Sequence, residues 1–153
     1  MRRVEQSRPV ALDYARRVAV DRIERMRTLV RLWNEGGVDA YLAEASPDLT
    51  FTPDPRFPEQ GPFSGDELRT FMEQWQEAWG GSTELLLDQV AEHSDAVLAR
   101  CRWVISGASS GAFVPAVFTF VGWFGDGGEL ETLLAFFDHQ HAIDAAERGR
   151  AGV

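Results

Sequence analysis

The chain has 153 residues, 44% of them hydrophobic, enough for one ordinary core and too few for two comfortable domains. No apolar run approaches the ~18 residues a membrane-spanning helix needs. The basic start, residues 1–9, lacks the apolar stretch of a secretory signal, so a cytoplasmic protein is expected.

The net charge of −9 is unevenly placed: residues 1–31 hold nine Arg against four acids, and the remainder six Arg against twenty. Every basic residue is Arg. So acidic a body repels a phosphate backbone, which argues against nucleic acid as a partner. The basic segment reads as a solvated helix face laced with Asp21 and Glu24. The lone cysteine, Cys101, rules out an internal disulfide and a multi-cysteine zinc site, and its place in a strand pattern suits a buried thiol.

Residues 1–9 read as a loose tail, with Pro9 a natural helix start. Val10 to Glu35 is helical in pattern, with Val18, Ile23, Met26, Val30 and Trp33 near one face. Gly36-Gly37 should end it by allowing a positive φ, and a short helix from Val38 to Ala45 then carries Tyr41 and Leu42 inward. A short strand runs Leu49-Thr50-Phe51-Thr52. Pro53, Pro55, Pro58 and Pro62 then argue against regular structure until Ser64. Ser64 and Glu67 form a capping box for a helix whose Leu68, Phe71, Met72, Trp75 and Trp79 recur at helical spacing before Gly80-Gly81.

Four strand-like runs follow: Thr83–Glu92, Ala96–Ile105, Phe113–Phe124 and Glu129–Asp138. Ser94-Asp95 and Gly125–Gly128 are their hairpin turns, and Ser106–Gly111 is a longer connection. Helices first and an antiparallel sheet last indicate an α+β class, one domain over residues 10–149. Phe118, Phe120 and Phe124 share one strand face and Val117, Val121 and Trp123 the other. Both sides of the sheet should therefore be covered, most simply by a homodimer.

The run Arg31–Asp39, the strand entry Ser46-Pro47-Asp48-Leu49-Thr50-Phe51, the capped helix from Ser64 and the closing Phe136-Phe137-Asp138 together resemble the SnoaL-like group of the nuclear transport factor 2-like superfamily. The resemblance covers roughly four-fifths of the chain by element order. It implies a cone, with about three helices packed on a curved, mostly antiparallel sheet, a short last helix, and a pocket between sheet and helices.

It also implies candidate site residues. In the ketosteroid isomerase branch an Asp-Pro on this loop supplies a general base, which matches Asp54-Pro55. A partly desolvated Asp54 would have a raised pKa and could move a proton beside a carbonyl. That branch also needs a tyrosine on the first helix, where this chain has Leu29. The limonene epoxide hydrolase branch uses an Arg-x-Asp pair and an aspartate on the last strand. Arg100 matches the first of these, but Arg102 and Ala135 stand at the two aspartate positions. Simple alternation sends Arg100 and Arg102 to solvent, whereas the resemblance aims them at the pocket, Arg100 to stabilise negative charge.

Trp33, Tyr41, Trp75, Arg102, Phe118 and Phe137 are the expected ligand contacts. Asp138 should cap the last helix, and His139 and His141, two apart, do not share a helical face, so no metal is expected. The reading is a protein for a small apolar or weakly acidic molecule. Any enzyme would be a cofactor-free isomerase, cyclase or hydrolase. The alternative is a non-catalytic binding or assembly module.

Overall fold

The computed structural model describes residues 7–78, 83–105 and 116–153. Trp79, the Gly80-Gly81 stop, the Ser106–Gly111 connection and the start of the strand expected from Phe113 lie outside the described residues.

Helix α1 spans Ser7–Glu44, so it begins before Pro9 and absorbs both expected helices. Its geometry breaks once, at Gly37 (φ 69°, ψ −151°). Only glycine adopts that φ cheaply. A Cβ there would also come within 2.8 Å of the Gln76 side chain. The kink lets Val38, Tyr41 and Ala45 enter the same core as Met26, Leu29 and Val30.

Strand β1 (Thr50–Thr52) leads through the proline-rich loop to β2 (Phe63–Ser64). Nothing in the residue pattern points to β2. It survives the prolines because it needs only two ladder positions, Thr50↔Ser64 and Phe51↔Phe63. Gly65, at φ +53°, then turns the chain into α2 (Gly65–Ala78), which buries Leu68 and Met72.

Four long strands follow, β3 (Thr83–His93), β4 (Ala96–Ile105), β5 (Ala116–Phe124) and β6 (Leu130–Phe136). They form an antiparallel meander that β1 extends in parallel with β6, giving one sheet in the order β2-β1-β6-β5-β4-β3. Helix α3 (His139–Arg148) closes the fold. Asp138 caps it as expected, accepting from the Gln140 amide at 2.8 Å and the His141 amide at 3.4 Å.

The sheet carries two apolar faces. Val97, Ala99, Cys101, Trp103, Phe118, Leu133 and Ala135 pack with α1 and α2. On the other face, Leu98, Val121, Trp123 and Leu134 are covered by Ala142, Ala145 and Ala146 of α3. The second apolar face of β5 is thus covered there from within the chain. Among the described residues, the large hydrophobics left exposed are Tyr14 and Val153.

Three polar side chains and one glycine fix α1 to the sheet. Asn34 reads the backbone of the edge strand β3, donating to the Leu85 carbonyl and accepting from the Leu85 amide, both at 2.8 Å. Arg22 donates to Glu92 at 2.7 Å and to the Asp95 carbonyl at 3.1 Å, and Arg25 donates to the Gly128 carbonyl at 3.1 Å. These two arginines therefore grip the β3–β4 and β5–β6 turns. They do not belong to a merely solvated face. Between them, Met26 packs so close to β5 that a Cβ at position 122 would stand 2.7 Å from its terminal methyl.

Candidate functional site: an apolar cavity and its mouth

Between α1, α2 and the sheet lies a cavity of about 90 Å³. Helix α1 supplies Met26, Leu29, Val30, Trp33 and Tyr41 to its wall, and α2 supplies Phe71, Met72 and Trp75. Leu85, Trp103, Phe118, Phe120, Leu133 and Ala135 come from the sheet, and Phe51, Pro53 and Phe57 from β1 and its loop. No charged side chain is among them. Leu29 and Ala135, the positions where the isomerase and hydrolase branches carry polar groups, are both apolar wall.

Four described wall residues carry a polar side-chain group, Tyr41 and the tryptophans Trp33, Trp75 and Trp103, and two of the four are buried. The first is Tyr41, only 8% exposed, whose hydroxyl has no hydrogen-bond partner among the described residues. Its ring meets Trp33 edge-on, with centroids 5.8 Å apart. Burial, and after it neighbouring Cys101, pushes the phenol above its ordinary range, so it stays a neutral donor. The second is Trp103, whose indole N–H is buried and unpartnered. Cys101 is buried too, and burial, followed by the charge of Asp88, pushes its thiol up to about 12. A thiol in that state is inert.

Of the expected site residues, Trp33, Tyr41, Trp75 and Phe118 come together at the cavity. Arg100 and Arg102 do not. Both are exposed, and Arg102 makes a two-pronged pair with Asp88, at 2.5 and 2.9 Å. The inward residues of β4 are Cys101 and Trp103. The arginine placement implied by the family resemblance is thus one residue out of register, and a one-residue slip exchanges the two faces of a strand.

Asp54 and Phe137 also lie outside the cavity wall. Asp54 is 2% exposed, and both its oxygens are occupied. Oδ1 accepts from the Arg56 amide at 2.9 Å and from Arg56 Nε at 3.1 Å, and Oδ2 accepts from the Phe137 amide at 2.9 Å. Burial pushes this carboxyl up, but the Arg56 guanidinium and the two amides outweigh it and hold the pKa below the usual value. That corrects the expected raised pKa. A desolvated carboxylate becomes a stronger base only when its anion is left unsatisfied.

What Asp54 positions is Phe57, a residue that sequence periodicity did not single out. The loop turns at Asp54, whose carbonyl accepts from the Phe57 amide at 2.9 Å. Phe57 then stacks on Phe137 (5.3 Å, 21°) and meets Trp75 edge-on (5.3 Å, 62°). Arg56 lies over the outer ring, 4.6 Å from the Phe137 centroid. Phe57, backed by Phe137 and held by the turn at Asp54, thus forms the loop side of the cavity.

Structural comparison places the fold. The chain superposes on Bal32a from a soil-derived mobile gene cassette with a TM-score of 0.67 at 18% identity, over 83% of this chain and 96% of the other. An NTF2-like protein of unknown function from Burkholderia pseudomallei gives 0.63 at 19% identity, over 81% and 95%. The chain has the nuclear transport factor 2-like fold. Within that fold, TerC, co-crystallised with polyporic acid, gives 0.63 at 15% identity, over 82% and 99% of the two chains. No family model matches the sequence, and no curated protein matches it significantly.

Proposed function

We propose that this NTF2-like chain is a SnoaL-like binding protein for a small apolar molecule, held in the cavity between α1, α2 and the sheet. The observation that carries the proposal is the wall itself: seventeen described residues, none of them charged, around an internal space. Such a wall gains from burying apolar ligand surface at ~25 cal/mol per Å² and offers nothing to offset the desolvation of an ion. A relative of the same fold co-crystallised with polyporic acid supports this use of the scaffold.

Binding without acid/base turnover is the reading we favour over catalysis. Asp54 is committed to Arg56 and Phe137, and Arg100 is exposed on a strand whose inward residues are Cys101 and Trp103. The described part of the wall supplies no carboxylate, histidine or arginine to move a proton.

A thermal-shift screen with neutral single-ring aromatics and monocyclic terpenes tests the proposal. A ligand present at about 100 times its Kd adds ~2.7 kcal/mol. For a chain of this size that is a rise on the order of 5–10 °C. A panel in which no apolar compound raises Tm would contradict it.

A further inference from the structure

The size and polarity of the cavity narrow the ligand class. An apolar cavity of about 150 Å³ holds one benzene ring. The space here is about 90 Å³, so a single ring fits with modest outward movement of the wall, and a fused polycycle does not. Phe57 is the wall residue best placed to give way, because it stands on an irregular loop outside any helix or strand.

Polarity is the second constraint. Tyr41 and Trp103 both donate, both are more than nine-tenths buried, and neither the Tyr41 hydroxyl nor the Trp103 indole N–H is hydrogen-bonded to a described residue. Buried donors favour a ligand that brings an acceptor. Nothing in the described wall would compensate an anionic one.

We infer that the cavity takes a neutral single-ring molecule bearing one acceptor oxygen, anchored by the Tyr41 hydroxyl. This rests on the binding function proposed above and adds the ligand class and the residue that selects it. Tyr41 lies beyond the Gly37 kink, so the kink is what brings this residue into the cavity wall.

Three near-isosteric probes separate the claims: styrene, benzaldehyde and benzoate, which share a phenyl ring and differ in the group beside it. The chain has no lysine, so the aldehyde has few amines to condense with. Each is titrated by calorimetry into the wild type and Tyr41→Phe. Benzaldehyde should bind the wild type, and Tyr41→Phe should weaken it about tenfold relative to styrene, the size of one net hydrogen bond. Benzoate should bind at least about a hundredfold more weakly than benzaldehyde.

Tyr41→Phe removes one atom, and unchanged styrene binding would show that the variant keeps its cavity. If styrene binds but its ratio to benzaldehyde is the same in both proteins, Tyr41 is not the anchor and the inference fails. Benzoate binding as tightly as benzaldehyde also overturns it. Failure of all three neutral and charged probes, styrene included, sinks the pocket proposal beneath it.

Discussion

Asp54 shows how burial alone misleads about chemistry. A carboxylate 2% exposed beside an apolar cavity looks like a poised base, yet each oxygen already accepts hydrogen bonds from a backbone amide or a guanidinium. Its interactions favour the anion, so its folded-state pKa lies below that in the unfolded chain. The stabilisation it brings is therefore complete above the ordinary carboxyl value of about 3.9 and disappears as pH falls through the lower folded value. Asp54→Ala should cost about 1–3 kcal/mol, because the partly buried Phe137 amide loses its acceptor. Urea unfolding measures that loss, and hydrogen exchange at the Phe137 amide should speed up in the variant. An unchanged Phe137 amide would mean that the carboxylate does not hold the loop.

At the scale of elements, the first helix organises the rest. Its apolar spacing was readable, and so was the glycine break, because both follow from local rules. The tasks of Arg22 and Arg25 were not. Their partners lie at Glu92, Asp95 and Gly128, some 70 to 103 residues away, and a charged face in sequence does not reveal what it will meet. Gly122 is the counterpart on the sheet. A Cβ there would stand 2.7 Å from Met26 Cε and 2.9 Å from Leu130 Cδ1. Gly122→Ala should therefore destabilise the protein by about 1–3 kcal/mol. Adding Met26→Ala should make the double variant less unstable than the two single costs combined, since the clash and the cavity offset each other. Additive costs would show that α1 does not press on β5 at this point.

For the whole molecule, the α+β order, the four long strands and the aromatic content of the pocket were legible because each rests on a repeating pattern: Leu68 and Met72 on α2, Cys101 and Trp103 on β4. What stayed hidden was irregular or non-local. The two-residue strand β2 lies behind a proline loop that argued against it, and Phe57 closes one side of the cavity from a segment with no period. The second apolar face of β5 was visible, but not that α3 would cover it. The site candidates divided along the same line. Trp33, Tyr41, Trp75 and Phe118 were found from helix and strand faces, whereas Arg100 and Arg102 were assigned from a family alignment that ran one residue out of register.

On the binding function proposed here, a neutral apolar molecule enters the space between α1, α2 and the sheet. The most direct test is a methyl-resolved NMR titration of the protein with styrene. The predicted result is a set of saturable shifts at the methyls of Met26, Leu29, Met72 and Leu133, which line the cavity, with Leu134 and Ile143 on the opposite face unmoved. Shifts confined to Leu134 and Ile143, or no saturable shift at the four cavity methyls, would contradict it.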